Sequence, residues 1–574
     1  MILRETPNLK YILFEPENIK ERKFLDKFPG LLQEGLSFFS PNNQLIVQNL
    51  YTRIKAQKKE IKYTPYVKKV LTAKFPLLEL PETFSYFTQP LPPQDLALRF
   101  GYTNNSIGLL MEPGLGKTKV VLDYIFLRGF LKALVICPKP LLSVWEDERV
   151  KHRPELTLYT IKTTDWEREQ EGVEKNQVIV LNYDKAVILK EQLEILSFDF
   201  IGLDEGLIKN YKTERTQVIT KLARNIPTRW VMSGTLINNS PLDLFAPIRF
   251  IEPSLVGFGV TKFKERYVQV SHYNKNIITG FQGEPEMKSI LDACSIVMRK
   301  SEWLPYLPKK TFTTIKVQLS SQQEKWYTWL ANNWIIPTSE TGLEKDIEVD
   351  LALVMLTKLI QISNGFIYYQ DSPEEEDILE EGTSKKKKLK ISDRRVHYFP
   401  EQPKIQKLLE IMEDPSGLQG RRSIVWFNLH AERELLEKAF TEEGITFITI
   451  AGGEKDIGGK VKRFNEDSSI RFCVCQAKTI NYGVTLIGVE AEEDVPYEFS
   501  PTISDEIFYS INFSLEVYLQ QQDRIHRIGQ KEECKYWILL GNTSVEGRIL
   551  DRLQAKLKCN REFLEDISKQ ARII

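Results

Sequence analysis

The chain has 574 residues, and its 78 basic and 78 acidic side chains give a formal net charge of zero, so any nucleic-acid surface must be local. The length allows about three or four domains at roughly 150 residues each, and 42% hydrophobic residues are enough to build packed cores. No apolar run approaches the roughly 20 residues of a bilayer span, the N-terminus shows no signal-peptide pattern, and six cysteines are too few for a disulfide scaffold. We therefore expect a globular cytoplasmic protein that makes no membrane contact.

Five short apolar runs predict the strands of a first α/β lobe. The runs are Ile107–Leu110, Ala133–Cys137, Val178–Leu181, Phe200–Leu203 and Trp230–Met232. They are apolar without alternation, which is typical of parallel strands that helices cover on both faces. A polar tip follows each run, and such tips converge on one crevice beyond the carboxyl ends of the strands in a doubly wound sheet.

The first polar tip predicts a phosphate-binding loop. MEPGLGKT, residues 111–118, follows a predicted strand and opens a predicted helix. In this context Gly114 and Gly116 let backbone N–H groups approach phosphate oxygens. Lys117 supplies positive charge for the β and γ phosphates, and the Thr118 hydroxyl can ligate Mg²⁺. The alternative is a glycine-rich turn that arose by chance.

An acidic pair follows the fourth predicted strand of this lobe. Asp204 and Glu205 stand where a phosphate-loop ATPase needs one carboxylate for the metal and one for the attacking water. We expect Asp204 to contact Mg²⁺ and Glu205 to act as general base. The alternative, an acidic surface turn, loses weight because the phosphate loop lies in the same lobe.

The interval from about residue 250 to 400 predicts mainly helix, with 351–362 as one amphipathic segment. Within it, residues 371–390 form an acidic block followed by a basic block, which is typical of a solvated, disordered loop. A lysine patch at 385–388 that touches DNA is the alternative interpretation.

A second set of apolar runs predicts a second α/β lobe. The runs are Ser423–Phe427, Phe447–Ile450, Phe472–Cys475, Ile507–Ile511 and Tyr536–Leu540. Before the last run, QQQDRIHRIGQ over 520–530 predicts a helix on which Arg524 and Arg527, three residues apart, share one face. Arginines that reach a γ-phosphate when two lobes close stabilise the transition state of phosphoryl transfer. A basic surface helix is the alternative.

The order of these segments resembles the Swi/Snf family of superfamily-two double-stranded DNA translocases. MEPGLGKT, ALVICPKPLLSVWEDE, DEGLIKN, MSGTLINNSPLDLF and QQQDRIHRIGQ look like its motifs I, Ia, II, III and VI. The resemblance covers roughly residues 90–550, including a lobe-linking segment at 298–327 and the start of a closing helix at 542–550. It implies ATP and Mg²⁺ as cofactors and duplex or forked DNA as partner.

The resemblance also implies residue roles, position by position. Gln94 matches the adenine-reading glutamine, and Ser233 and Thr235 match the motif III pair that couples nucleotide state to lobe closure. The expected catalytic residues are Lys117, Asp204, Glu205, Arg524 and Arg527, with Thr118 and Asp204 at the metal; the expected ATP-binding residues are Gln94, Pro113, Gly114, Leu115, Gly116, Lys117, Thr118 and Gly483; the expected coupling residues are Ser233, Gly234, Thr235, Gln520 and Asp523.

DNA contacts are expected to reach the phosphate backbone rather than the base edges, since a translocase of this type follows the backbone. Lys139, Ser143 and Thr485 are the expected contact residues. Trp145, beside them, is interpreted as a packing residue rather than a base stacker, because the bases of a duplex are already stacked.

Motif V and the N-terminus resemble one branch of the family. Gly483, Thr485 and Leu486 match motif V, and Thr485 replaces the usual Asn, a form similar to the annealing-helicase branch. Residues 28–43 and the helix-like stretch after them resemble the small auxiliary module of that branch, with an ordinary family-specific N-terminal domain as the alternative. By analogy, the compact length suits a bacterial or phage setting, or a nuclear location if the source is eukaryotic.

Three segments depart from the family pattern. Met111 occupies the position of the first glycine in the general phosphate-loop pattern. Gly206 and Leu207 replace the usual Ala-His of motif II, with one residue fewer before Lys209, so the His contact to other motifs is absent. The acidic stretch 490–506 is longer than usual.

The expected fold class is α/β, with two RecA-like doubly wound parallel-sheet lobes, a helical insertion or linker, and a small N-terminal α+β domain. We expect the N-terminal auxiliary domain over 1–88, lobe one with motifs I to III over 89–300, a helical linker with the charged loop over 301–400, and lobe two with C-terminal helices over 401–574. The N-terminal domain is a candidate surface for protein partners, and the chain is expected to be a monomer.

The leading functional hypothesis is an ATP-dependent double-stranded DNA translocase. An annealing or strand-separating helicase that acts on forked DNA is the nearest alternative, because the lobes are shared. A DNA- or protein-binding subunit with a degenerate ATPase is the alternative from another class, suggested by Met111, Leu207 and Thr485.

Overall fold

The computed structural model describes most of the chain after residue 77. The described ranges are five short strands before residue 64, then 78–234, 241–256, 259–270, 278–341, 347–349, 352–369, 395–454, 456–479, 486, 489–490, 500–501, 503–543 and 545–557. The predicted charged loop at 371–390 lies outside them. The chain divides into two compact units, residues 1–305 with 556–574 and residues 306–555. Among the described residues, no helix combines the length and the apolar character needed to cross a membrane.

The N-terminal strands form a small sheet. They span Ile2–Glu5 (β1), Tyr11–Glu15 (β2), Leu32–Glu34 (β3), Ser37–Pro41 (β4) and Lys62–Tyr63 (β5). Their order is β3-β4-β2-β1-β5, and all neighbours are antiparallel except β1 and β5, which are parallel. The predicted helix-like stretch after residue 43 lies outside the described residues.

The first unit contains a seven-stranded sheet in which every neighbouring pair is parallel. Its strands span Ile107–Met111 (β6), Ala133–Cys137 (β7), Leu158–Thr160 (β8), Val178–Asn182 (β9), Phe200–Asp204 (β10), Thr228–Met232 (β11) and Ser295–Met298 (β14). Val268–Val270 (β12) and Ile278–Phe281 (β13) form a separate antiparallel pair. The order is β14-β6-β11-β10-β7-β9-β8, so the ends of β6, β11 and β10 lie side by side. All five predicted strands are confirmed.

Helices connect these strands and cover the sheet. In the first unit they span Pro92–Asn104 (α1), Lys117–Arg128 (α2), Leu142–His152 (α3), Trp166–Lys175 (α4), Tyr183–Ile188 (α5), Lys190–Ile195 (α6), Glu214–Leu222 (α7), Phe245–Ile251 (α8), Val260–Tyr267 (α9), Glu284–Cys294 (α10) and Lys300–Trp303 (α11). Strands β6, β7, β9 and β10 are buried along their whole length because helices shield both faces of the sheet.

A buried ionic cluster fixes α2 against the end of α3. Asp123 on α2 accepts from the Nζ of Lys119 at 2.6 Å and from the Nε of Arg153, just past α3, at 2.5 Å. The Arg153 guanidinium also lies 4.4 Å from the ring centroid of Phe126. Since each buried charge has a partner of opposite sign, the helix that follows the phosphate loop keeps a defined position beside α3.

The second unit contains a six-stranded sheet, again with every neighbouring pair parallel. Its strands span Lys310–Val317 (β15), Arg422–Phe427 (β20), Phe447–Ile450 (β21), Phe472–Gln476 (β22), Ile503–Phe508 (β25) and Cys534–Gly541 (β26); β16–β17 (Ile335–Ile336, Ile347–Glu348), β18–β19 (Phe366–Tyr369, Arg395–Tyr398) and β23–β24 (Val489–Glu490, Ser500–Pro501) are separate two-stranded pairs. The order is β15-β26-β25-β20-β22-β21. The predicted fold class of two parallel-sheet α/β lobes is therefore confirmed.

The helices of the second unit span Ser321–Asn333 (α12), Thr338–Thr341 (α13), Ala352–Ser363 (α14), Pro403–Glu413 (α15), His430–Glu442 (α16), Ile457–Glu466 (α17) and Leu515–Gln522 (α18), followed by a helical stretch at 545–557. The start of α12 shows why the sequence folds there. Ser320 and Gln323 each bond the backbone N–H of the other, which satisfies two donors of the first turn.

The interval 250–400 contains more strands than the sequence predicted. The four-residue β14 joins the edge of the first sheet, and β15 joins the edge of the second. In β15, KTFTTIKV, only Val317 is buried, so its polar composition hid an edge strand. The acidic stretch 490–506 also ends inside the second sheet, because β25 begins at Ile503, four residues before the predicted strand.

A buried polar network joins three helical segments of the second unit. Lys404 on α15 donates to Glu546 and to the Oδ1 of Asn364, at 2.6 Å in both cases. Asn364 in turn donates to Glu432 at 2.8 Å, and Glu546 accepts from the backbone N–H of Gly541 at 2.7 Å. Both members of the Lys404–Glu546 pair are less than 5% exposed, so removal of the lysine strands a buried carboxylate.

We therefore expect Lys404→Met to lower the free energy of unfolding by about 3–5 kcal/mol, the usual loss when one partner of a buried pair is removed. Lys407→Met is the matched control, because Lys407 lies on the same helix and its pair with Glu410 is solvent-exposed. Denaturant unfolding of both variants measures the difference. Equal losses would contradict the assignment of the network as a stabilising element.

Candidate nucleotide site

The loop between β6 and α2 has the backbone shape of a phosphate cradle. Gly114 and Gly116 have φ of 89° and 82°, in the left-handed region that favours glycine. The N–H of Leu115 donates to the carbonyl of Glu112 at 3.2 Å and closes the loop. Helix α2 starts at Lys117, so its first N–H groups, which have no partner within a helix, follow the loop directly.

Gln94 lies directly against this loop. Its Nε2 donates to the carbonyl of Leu115 at 3.1 Å, and its Oε1 accepts from the N–H of Leu91 at 3.0 Å. A Cβ on Gly116 would stand 2.2 Å from the Gln94 amide nitrogen. The structure thus brings Gln94 to the phosphate loop, and the close approach leaves room only for glycine at position 116.

Lys117 connects the loop with the acidic pair. Its Nζ donates to the carbonyl of Met111 at 3.1 Å and lies 3.8 Å from the Oε1 of Glu205. Both side chains are about nine-tenths buried, which strengthens the attraction between their charges. Met111, the departure at the head of the loop, is a fully buried strand residue whose carbonyl orients this lysine.

Asp204 ends β10 with both carboxylate oxygens engaged. Its Oδ2 accepts from the indole N–H of Trp145 at 3.0 Å, and its Oδ1 accepts from the N–H of Glu205 at 3.1 Å. Burial raises the pKa of Asp204 above its usual value, while the charge of Lys117 and the two N–H donors act in the opposite direction. A divalent cation bound to this carboxylate would add a further charge that favours the ionised form.

The turn after Asp204 explains the unusual DEGL sequence. Glu205 and Gly206 have φ of 57° and 47°, so both central residues of the turn are left-handed. The hydroxyl of Tyr183 donates to the carbonyl of Asp204 at 2.8 Å and accepts from the N–H of Leu207 at 3.3 Å. Tyr183 therefore holds the two ends of the turn together, and the turn places the Glu205 carboxylate beside Lys117.

Gly206→Ala is expected to lower the free energy of unfolding by about 1–2 kcal/mol, the cost of a left-handed non-glycine residue. It should also lower ATP turnover, because the new Cβ would lie 3.1 Å from Val231 and shift the turn that carries Glu205. Gly129→Ala is the matched control. Gly129 also has a left-handed φ, of 60°, but it lies at the end of α2 and has no atom within 4 Å of its Cβ position. Its turnover should equal that of the unmodified protein; equal turnover of Gly206→Ala would contradict the role of the turn.

Motif III follows β11 and lies between motif I, which follows β6, and motif II, at the end of β10. The N–H of Ser233, at the end of β11, donates to the carbonyl of Leu109 in β6 at 3.1 Å, and the side chain is fully buried. A Cβ on Gly234 would lie 2.6 Å from the Cδ of Pro113 in the phosphate loop. Ser233 therefore contacts β6 and Gly234 lies against the phosphate loop, while their coupling role stays a prediction; Thr235 lies outside the described residues.

Motif Ia has an exposed and a buried face. Two residues of this motif are exposed, as residues that contact the phosphate backbone of DNA must be: Lys139, on the short 3₁₀ turn Lys139–Leu141, and Ser143 in α3. Trp145 is fully buried, which agrees with a packing role, but its bond to Asp204 makes it part of the site. The sequence did not predict this second role, because the partner is 59 residues away in the chain.

Glu112 is a further residue of the site that the sequence did not predict. Its Oε2 accepts from the backbone N–H of Lys300 at 2.8 Å, and its own N–H donates to the carbonyl of Met298 at 3.0 Å. The phosphate loop is thereby tied to the segment that leaves the first unit. Only the position of Glu112 inside the loop sequence could have drawn attention to it.

In the second unit, the helix predicted through Arg524 and Arg527 is wrong in its extent. Helix α18 ends at Gln522, and both arginines lie in the turns that follow. The chain leaves the helix through the bond from the N–H of Arg524 to the carbonyl of Gln521, and Gly529, with φ of 96°, redirects it toward β26. The two arginines therefore do not share a helix face, and that prediction is wrong.

The two arginines have different environments. Arg524 is 3% exposed. Burial raises the pKa of Glu506 well above its usual value, and the charge of Arg524 acts in the opposite direction. Arg527 is half-buried, and its Nε donates to the carbonyl of Asp523 at 2.9 Å. The Asp523 carboxylate lies 3.3 Å from the Nζ of Lys310 on the edge strand β15. These contacts orient Arg527 from the end of α18.

The remaining predicted residues lie partly outside the described structure. Gln520 is buried in α18, where its Nε2 donates to Glu516 at 3.4 Å. Leu486 of motif V is fully buried. Gly483 and Thr485 lie outside the described residues, so their expected roles in ATP and DNA binding stay predictions.

The first unit has the features of a phosphate-loop ATPase. Three adjacent strand ends carry a glycine-cornered loop with Lys117 and Thr118, the buried Ser233, and the acidic pair. The fit of a nucleotide and a metal is supported by the left-handed glycines that shape the loop and by the donor set, since hydroxyl and carboxylate oxygens are the protein ligands that Mg²⁺ prefers.

The family follows from comparison with known proteins. Residues 44–365, more than half of the chain, match the profile of the SNF2-related domain, and the chain belongs to this family. The predicted family resemblance is therefore confirmed. Membership implies ATP as the nucleotide, typically with Mg²⁺.

Curated relatives match over most of this chain. An uncharacterized ATP-dependent helicase of Mycoplasma genitalium is 22% identical over 80% of this chain and 40% of its own length. A probable chromatin-remodeling complex ATPase chain of Oryza sativa subsp. japonica is 24% identical over 79% of this chain and 39% of its own. A DNA repair and recombination protein of Saccharomyces cerevisiae is 23% identical over 76% and 46%. The chain thus spans less than half the length of these relatives.

A solved structure, the SWI2/SNF2 ATPase core of Sulfolobus solfataricus in complex with double-stranded DNA, is 20% identical to this chain. The match covers 85% of this chain and 95% of that one, with a TM-score of 0.39.

Proposed function

We propose that the protein is a DNA-dependent ATPase that uses ATP hydrolysis to move along double-stranded DNA. The observation that carries the proposal is the convergence of Lys117, Asp204 and Glu205, with 3.8 Å between the lysine Nζ and the glutamate Oε1, at the mouth of the glycine-cornered loop. A lysine and two carboxylates in this arrangement match the needs of phosphoryl transfer to water.

Each site residue discussed for the first unit has a role in the proposed reaction. The loop N–H groups and Lys117 bind the phosphates, Gln94 meets the adenine, and Thr118 and Asp204 hold Mg²⁺. The metal, when bound, neutralises phosphate charge and orients the leaving oxygen. Ser233 and Gly234, in contact with β6 and the loop, sense the nucleotide state.

Glu205 orients the attacking water and accepts its proton. The left-handed turn and the Tyr183 bridge fix the backbone of this residue, and its carboxylate lies beside Lys117, the residue proposed to bind the phosphates. Acceptance of a proton by this carboxylate is the general-base role that phosphoryl transfer to water needs.

Arg524 and Arg527 supply positive charge to the γ-phosphate when the two lobes close. A guanidinium fork that enters only in the closed state stabilises the transition state and couples hydrolysis to lobe movement. The half-buried Arg527 is the better candidate for phosphate contact, and the buried Arg524 supports it from inside the second unit.

DNA contact is proposed for the exposed Lys139 and Ser143 of motif Ia and for Thr485 of motif V. The zero net charge supports a local groove rather than a general affinity for polyanions. We propose that residues 1–88 form an auxiliary domain, that 89–300 and 401–574 form the two lobes on either side of the 301–400 linker, and that the chain acts as a monomer.

ATP turnover in the presence of duplex, single-stranded and forked DNA tests the proposal. We expect strong stimulation by duplex or forked DNA, loss of turnover in Lys117→Ala, and displacement of a third strand from a DNA triplex in an ATP-dependent manner, as a translocating motor requires. Turnover that is independent of DNA and unchanged in Lys117→Ala would instead support a binding subunit with a degenerate ATPase.

A helicase that anneals or separates strands is the remaining alternative. Thr485 in motif V favours the annealing branch. Forked and bubbled DNA distinguish the two activities: closure of a bubble without triplex displacement would replace translocation by annealing, and unwinding of a plain tailed duplex would replace it by strand separation.

A further inference from the structure

Trp145 has an environment that packing alone does not require. Its indole is fully buried at the first turn of α3, and its Nε1–H points to the Oδ2 of Asp204 at 3.0 Å. An indole N–H is only a donor, so this bond has one possible direction. A donor to an ionised carboxylate forms a stronger bond than one to a neutral acceptor.

The bond fixes a carboxylate that the backbone alone would leave free to rotate. The N–H of Glu205 holds Oδ1, and Trp145 holds Oδ2, so the plane of the carboxylate is set while each oxygen keeps a lone pair for a metal. Helix α3 is itself anchored through Arg153 and Asp123 to α2, the helix that begins at Lys117. The indole therefore stands on a rigid support.

We propose that Trp145 is a positioning residue that holds Asp204 in the orientation that binds the divalent cation. The proposal rests on the assignment of Asp204 as a metal ligand in the proposed function. Partners of this kind, which bond a ligand rather than the metal, typically change metal affinity by about 10–100-fold when they are removed.

The test measures the affinity for Mn²⁺ by electron paramagnetic resonance, in the presence of a slowly hydrolysed ATP analogue and with a protein-free titration as reference. We expect Trp145→Phe to weaken Mn²⁺ binding by about 10–100-fold. Trp230→Phe is the matched control, because Trp230 is also fully buried in the first unit but its Nε1 donates to the backbone carbonyl of Asn105 at 2.6 Å. It should bind Mn²⁺ as the unmodified protein does.

Asp204→Asn separates failure of this inference from failure of the proposed function. If Asp204→Asn binds Mn²⁺ normally, Asp204 is not a ligand and the proposed function loses its metal site. If Asp204→Asn binds weakly while Trp145→Phe and Trp230→Phe bind equally well, the ligand assignment stands and the role of Trp145 is overturned.

A measurement on the unmodified protein covers the case in which Trp145→Phe does not fold. The nine tryptophans give nine indole N–H signals in a nitrogen-labelled sample. Mg²⁺ added with the ATP analogue should shift one signal strongly, and that signal should still be present in Trp230→Phe. If no indole signal responds to Mg²⁺ beyond its response to the analogue alone, the proposal is wrong.

Discussion

Glu205→Gln is expected to reduce DNA-stimulated ATP hydrolysis by about 10³-fold, within the range for loss of a general base. The amide keeps the shape of the side chain and the left-handed turn with φ of 57°, but it cannot accept a proton from water. Because the phosphate loop and Lys117 are unchanged, the variant should still bind ATP. Rapid-quench measurement of hydrolysis and equilibrium binding of a fluorescent ATP analogue test the two statements separately.

Glu112→Gln is the matched control for this variant. Glu112 belongs to the phosphate loop itself, but its carboxylate accepts from the N–H of Lys300, a bond that a glutamine oxygen can also accept. Its hydrolysis rate should therefore stay close to that of the unmodified protein. A Glu205→Gln rate within tenfold of normal would show that another group accepts the proton.

The sequence predicted the frame of the first site because its signals are local. Apolar runs identified β6, β10 and β11, and the glycines and acids at their ends lie together because parallel strands end at one edge of the sheet. Gly116 is a particular case: its sequence position predicted a phosphate loop, and the structure shows that the Gln94 amide leaves no space for a Cβ there.

The contacts that orient the acidic pair could not be predicted in the same way. Trp145 and Tyr183 are separated from Asp204 by 59 and 21 residues, and neither residue type suggests a role at a metal or a turn. Their function arises only when α3 and α5 pack beside β10. The resemblance to motif II places Gly206 where alanine is usual, but only the backbone angle explains why glycine is favoured there.

Two buried acids explain why the start of β25 was not predicted. Asp505 and Glu506 end the acidic stretch 490–506, which is longer than usual for the family, and both are fully buried in β25. The indole N–H groups of Trp537 and Trp426 donate to these carboxylates at 2.9 Å and 3.1 Å. A strand that contains charges satisfied by distant donors has no periodic signature, because the pattern of polarity reports only average burial.

Arg527→Ala is expected to reduce DNA-stimulated hydrolysis by about 10³-fold or more, the range for loss of an arginine that stabilises a transferring phosphoryl group. Arg527 is half-buried and bonds the backbone of Asp523, so its removal should leave the free energy of unfolding nearly unchanged. Steady-state ATP turnover at saturating DNA, with denaturant unfolding of the same samples, measures both quantities.

Arg524→Ala and Arg527→Lys make this test specific. Arg524 is 3% exposed, and its charge counteracts the rise in the pKa of Glu506 that burial causes. Removal of Arg524 should therefore lower stability as well as turnover. Arg527→Lys keeps the charge but loses the planar fork, and we expect turnover between those of Arg527→Ala and the unmodified protein. Normal hydrolysis by Arg527→Ala would mean that no guanidinium at this position acts on the phosphate. Coupling between hydrolysis and lobe closure would then need another residue of the second unit.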